Sequence, residues 1–175
     1  KKYERYEIDG VTYYLVPTAQ IDKTTKKQIE ACNEAIWDFA PDLIHIHGTE
    51  HSLAKAVCMA NEDRVKTVAN IQGLAGPYMR YADGGLSLWN KWTNITPLDF
   101  YRGTFLLNAK RNFKHRAECE NYVLTYITNI VGRTQWDCDH VMTVNPRLRY
   151  HFMNETLRDS FYEVPRWNYA QCKKH

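Results

Sequence analysis

The chain has no run approaching the roughly 18 apolar residues that a bilayer-crossing helix requires, so no membrane span is predicted. No signal-peptide pattern, low-complexity tract or long disordered stretch interrupts its 175 residues, and one domain with a single sizeable core is expected. Cysteine lacks pattern rather than number: Cys32, Cys58, Cys119, Cys138 and Cys172 are widely spaced, odd in count and form no CxxC pair. That argues against a disulfide framework and for free thiols in a reducing cytoplasm. Charge of one sign is also missing. The 23 basic and 20 acidic residues leave a net charge of +3, too mild to argue for nucleic acid, and no nucleic-acid motif accompanies them. A soluble cytoplasmic chain is the expectation, with the inner face of the membrane as its other possible location.

What is present centres on Pro41 to His51, PDLIHIHGTEH. Asp42 to Ile46 is a short apolar run with β-branched residues between Pro41 and Gly48, which reads as a buried strand ending in a tight turn. From Thr49 onward Leu53, Ala56, Val57 and Ala60 recur at helical spacing, with Thr49 or Ser52 as the capping residue. His47, Gly48, Thr49, Glu50 and His51 therefore fall on a strand-to-helix loop. In open parallel sheets ligands bind outside the carboxyl ends of the strands, where helix N-termini converge.

Around this stretch strands and helices alternate. Asp9-Gly10 makes a turn before a strand over 11–16; a helix follows over 22–40, with Ile29, Cys32, Ile36 and Phe39 on one face. Val65 to Ile71 predicts a further strand, ending at the glycine-rich loop Gln72-Gly73-Leu74-Ala75-Gly76-Pro77. Tyr78 to Phe100 has poor periodicity and reads as a long irregular loop with short helical pieces, before a helical region over 101–126. A strand over 128–132 leads to a helix over 134–144, with Thr134 and Asp137 spaced as a capping box and Asn145-Pro146 as its stop. A last strand over 150–153 precedes Asn154-Glu155-Thr156 and a short helical turn near Tyr162. This order predicts an α/β, Rossmann-like doubly wound, mainly parallel sheet with helices on both faces.

The series PDLIHIHGTEH, VANIQGLAG, IVGRTQWD and YHFMNETLRDSFY, in that order and at strand ends, resembles the N-terminal half of GT-B glycosyltransferases of the group 1 kind, also called family 4. The resemblance covers nearly the whole chain. It implies retaining transfer of a sugar from a nucleotide-sugar, of the hexosyltransferase type and without a metal, to a glycan or lipid-linked acceptor in a cleft between two Rossmann-like halves. The N-terminal half would hold the acceptor, and the C-terminal half the nucleotide. The family's first strand and its glycine-rich loop are not seen ahead of these segments. Residues 1–165 would form the acceptor-side domain and 166–175 the start of the link to a nucleotide-sugar domain outside this sequence, so that the chain is inactive alone. No cofactor is expected beyond the nucleotide-sugar as donor.

His47, Gly48, Thr49, Glu50, His51, Gln72, Gly73, Arg133, Thr134, Asn154 and Glu155 are the candidate substrate-binding residues, and no residue is assigned to catalysis. His45 reads as a packed strand histidine, whereas His47 at the strand end faces the cleft. A metal-dependent hydrolase using the HIHGTEH cluster is an alternative, though a third ligand of suitable spacing is missing; a non-catalytic carbohydrate-binding or assembly module is another. Gln72 stands where relatives carry a histidine near the donor sugar; it either contacts sugar hydroxyls or caps the turn at Gly73. Thr134 is an N-cap, and Arg133 beside it suits an anionic group. Glu155 stands where relatives often have glycine, so Asn154 and Glu155 either approach the cleft or cap the next helix. From Trp89 to Arg116 aromatic and basic residues are interleaved, which fits either a membrane surface or an amphipathic helix packed on the sheet.

Overall fold

The computed structural model describes residues 3–17, 23–102, 106–154 and 156–165. Its first unit joins the charged, aromatic start of the chain to the apolar run after it. β1 (Glu4–Ile8) and β2 (Val11–Leu15) form an antiparallel hairpin, closed by Asp9-Gly10 with φ of 50° and 77°. Two consecutive residues at positive φ make the primed turn whose twist matches that of paired strands, and Asp-Gly suits it. The hairpin is a sheet of its own. It docks on α1 (Lys26–Phe39), where the Tyr14 hydroxyl donates to Asp38 at 2.8 Å and its ring meets Phe39 edge-on. Helix α1 is capped by Thr25, whose Oγ1 accepts from the Gln28 amide, and it ends at Ala40 in the left-handed region just before Pro41.

The rest is the expected class, a mixed α/β, Rossmann-like arrangement with an all-parallel four-stranded sheet flanked by helices. The chain runs through β3 (Leu43–His47), α2 (Ser52–Asn61), β4 (Lys66–Asn70), α3 (Ala75–Tyr81), α4 (Leu88–Thr93), α5 (Pro97–Arg102), α6 (Leu106–Tyr126), β5 (Asn129–Gly132), α7 (Gln135–Val144), β6 (Arg149–Phe152) and α8 (Ser160–Glu163). The four strands lie in chain order, β3-β4-β5-β6, each parallel to the next. Level register aligns Ile46 with Ala69, Ala69 with Ile130 and Ile130 with Tyr150, and these residues meet Ala54 and Cys58 of α2, Val123, Leu124 and Ile127 at the end of α6, and Val141 of α7 in one core. A smaller cluster of Cys32, Ala56 and Ala60 fixes α1 against α2.

The two faces of the sheet are covered unequally. Alternate residues point to opposite faces; of the positions out of phase with the core, Leu43, His45, His47, Lys66, Arg149 and His151 are exposed, while Val68, Asn70, Asn129 and Val131 on the two central strands are half-buried. The LIHIH strand is therefore half-buried rather than buried throughout, because its histidines occupy the uncovered phase. His45 is not packed: its ring lies against that of His47 with centroids 4.1 Å apart.

Two boundaries differ from the sequence reading. Helix α2 starts at Ser52 with His51 as its N-cap residue, and neither Thr49 nor Ser52 caps it; Thr49 is fully buried and its hydroxyl has no partner. The glycine-rich segment after β4 is only partly a loop. Helix α3 already begins at Ala75, with Pro77 in its first turn, where a missing N–H costs nothing. The expected link over 166–175 lies outside the described residues, as does Glu155. Among the described residues no helix is long and apolar enough to cross a membrane.

Candidate functional site

The four strands end level with one another, and the backbone ladder runs one residue further: Gly48 N–H donates to Asn70 O, Ile71 N–H to Val131 O and Met153 N–H to Gly132 O. The loops that follow each strand thus rise from one edge. Behind β3, Gly48 turns the chain at φ 82°, which a side chain would strain, and a Cβ there would come within 3.1 Å of Glu50 Oε2. Glu50 folds back over the turn and its side chain is 16% exposed. Its Oε1 lies 3.2 Å from His51 Nε2, while Oε2 is buried without a hydrogen-bond partner. Glu50 precedes α2 by two residues, so it belongs to the turn and not to the helix.

A second carboxylate meets this loop from a distant part of the chain. Glu120, on α6 and 2% exposed, accepts from the amides of Ala75 at 2.6 Å and Gly76 at 2.9 Å, the first two residues of α3. Burial pushes its carboxyl above the ordinary range; the two amides pull it back, and the nearby Glu50 charge pushes it up further. His140 of α7 places Nε2 4.0 Å from Glu120 Oε1, and burial together with Arg80 holds this imidazole below its usual value. Trp136 stacks on it. A Cβ at Gly76 would sit 3.1 Å from Glu120 Oε1, a tight approach to a carboxylate held by two backbone amides. Two carboxylates, Glu50 and Glu120, thus lie at this edge, each with a histidine beside it.

Glu120 was missed by reading strand ends alone. A signal was available: Cys119, Glu120, Val123, Leu124 and Ile127 follow the spacing of a buried helix face, and all five are buried. A carboxylate at such a position needs internal donors, since an unpaired buried charge is strongly disfavoured.

The other sequence candidates divide. Thr134 caps α7 as expected, accepting from the Asp137 amide at 3.1 Å in a reciprocal capping box. That box removes the anion position proposed there. Asp137 Oδ2 accepts from the amides of both Arg133 and Thr134 at 3.1 Å, so the positive end of α7 already holds a carboxylate. The Arg133 guanidinium reaches the Gln72 carbonyl at 3.4 Å and ties the loop after β5 to the loop after β4. Gln72 is exposed, and Gly73 meets only an ordinary 3.9 Å approach from the Tyr78 ring. His47 lies on the uncovered face beside His45, away from the Glu50 turn in phase if not in sequence. Asn154 is exposed beyond β6.

Among the described residues no group of three or more histidines, cysteines, aspartates or glutamates is arranged to hold a metal ion. The HIHGTEH cluster is split, with its first two histidines on the sheet face and Glu50 and His51 in the turn. Cys32 and Cys58 are free; burial pushes the Cys32 thiol up to about 11 and the Cys58 thiol up to about 12, which leaves both as inert thiols. No protein-family model matches the chain, and no curated protein matches it.

Proposed function

We propose that the chain is the acceptor-binding half of a retaining glycosyltransferase that moves a sugar from a nucleotide-sugar to a glycan or lipid-linked acceptor. The observation that carries this reading is Glu50 at the end of β3, with one carboxylate oxygen held beside His51 and the other buried without a donor. A buried acceptor oxygen of that kind calls for a donor, and a sugar hydroxyl can supply one. The four segments that resemble the family also lie in chain order at the carboxyl edge of one parallel sheet, where such a cleft would be built. Glu50 and His51 bind and orient the acceptor hydroxyl; Glu120, held by two backbone amides, fixes the α3 end of the loop beside them and sets the local charge.

Saturation-transfer NMR of the chain against a panel of oligosaccharides and nucleotide-sugars tests this reading. Saccharide signals should be saturated, nucleotide binding should be weak, and the chain by itself should transfer no sugar. Glu50→Gln keeps the shape but replaces an acceptor by a donor, and should weaken saccharide binding by about 10-fold or more, the equivalent of the roughly 1.5 to 3 kcal/mol of a charge-assisted hydrogen bond. Its thermal midpoint should hardly move. Tight nucleotide binding, or no saccharide binding at all, would sink the assignment; saccharide binding by a longer natural form that transfers nothing would favour a non-catalytic carbohydrate-binding module.

A further inference from the structure

Between Arg80 and Arg116 the sequence holds seven basic residues against two acidic ones, a local charge of +5 in a chain whose total is +3. Both acids are engaged within the segment: Asp83 accepts from Lys91 Nζ at 2.6 Å, and Asp99 accepts from the Thr96 hydroxyl at 2.6 Å. Arg80, Arg102, Lys110, Arg111 and Lys114 are exposed. The same segment carries apolar side chains that the domain does not use. Helix α4 buries none of its residues, and Leu88, Trp89 and Trp92 are 68%, 75% and 65% exposed; Leu98 and Tyr101 of α5 are 53% and 90% exposed.

Single exposed hydrophobics are ordinary, but large apolar and aromatic residues this dense on two short consecutive helices mark an interaction surface. We infer that α4, α5 and the basic first half of α6 dock on an anionic phospholipid surface. Charge selects this occupant. A second copy of the chain would bring the same positive field against itself, whereas anionic headgroups complement it. The aromatic content agrees, since tryptophan and tyrosine rings settle at headgroup depth with their apolar bodies below and polar tips in water. α3 and α6 pack on each other, so the intervening excursion leaves and rejoins the domain at one place and can dip into a surface without disturbing the sheet. Interleaved aromatic and basic residues therefore divide their work: the later part of α6 packs in the core, and α4 and α5 do not.

Vesicle flotation decides the matter, using the whole chain with phosphatidylcholine vesicles made with and without phosphatidylglycerol. Binding should be at least about 10-fold stronger to the anionic vesicles and should fall as salt rises. Trp89→Ser with Trp92→Ser should abolish it, and Lys110→Glu with Arg111→Glu should remove the preference for anionic lipid. All four positions are exposed, so the thermal midpoints of both variants should match the parent. Equal partition to the two vesicle types, or unchanged binding by either variant, overturns the inference. So does sedimentation showing a dimer that the tryptophan substitutions dissociate, which would make a second copy the occupant.

Discussion

The two faces of the parallel sheet differ although they are made by the same twenty or so residues. On one face Ile46, Ala69 and Ile130 are sealed beneath α2, α6 and α7; on the other, His45, His47, Arg149 and His151 stand in the open. Parallel sheets are normally apolar on both sides because helices cover both. Here strand composition follows the cover. LIHIH alternates isoleucine and histidine in the phase that puts every isoleucine inward, so fold stability rests on one face while the other is free to carry chemistry or partners.

The sharpest way to break this comparison is to truncate a leucine on each side. Leu124→Ala, at a fully buried position of α6, should cost about 2 to 5 kcal/mol through lost contacts and the cavity left behind. Leu43→Ala on the open face, where the side chain is 55% exposed, should stay within about 0.5 kcal/mol. Urea midpoints measure both, and equal losses would mean that the open face is covered in solution.

A smaller effect is expected where the covered side meets the candidate site. Glu120→Gln leaves one of the Ala75 and Gly76 amides facing an amide nitrogen, at a cost of about 1 to 3 kcal/mol at low pH. Its pH dependence has a definite sign. The folded carboxyl lies above its ordinary 4.5, so in the interval above 4.5 the native state binds more protons than the unfolded chain. Stability from this group is therefore full below 4.5 and is lost as pH rises through the raised folded value. Unfolding measured across that interval should show the parent declining and Glu120→Gln flat, so that the gap between them narrows as pH rises. A constant gap would show that Glu120 titrates normally.

The smallest effect belongs to the open face itself. His45→Ala and His47→Ala should each change stability by no more than about 0.5 kcal/mol, and chelation should leave the thermal midpoint where it was. Stoichiometric zinc in the purified protein, with a midpoint that drops on chelation, would give the paired histidines a role that their present surroundings do not.

Local features were legible in the sequence. The Asp9-Gly10 turn, the Thr134 to Asp137 capping box and the strands at 43–47 and 129–132 each depend on residues within a few positions of one another, so spacing alone encodes them. The separation of the hairpin from the main sheet was not, because pairing between β1 and β2 competes with any other edge and only the assembled domain decides it. Arg133 read as an anion anchor for a related reason: nothing in the run IVGRTQWD says that Asp137 will fill the helix N-terminus first.

By itself the sequence determined the parallel α/β class, the loops at the strand ends and the presence of Glu50 among them, since periodicity and turn chemistry are properties of short windows. Only the tertiary structure decided that Glu120, 45 residues from Ala75, would supply the second carboxylate of the site. A helix carries its buried face wherever packing takes it, and the two amides that hold Glu120 belong to a different helix. The same packing chose which phase of LIHIH would be sealed, because the helices gather over the side where Ile44, Ile46, Ala69 and Ile130 offer apolar area to remove from water.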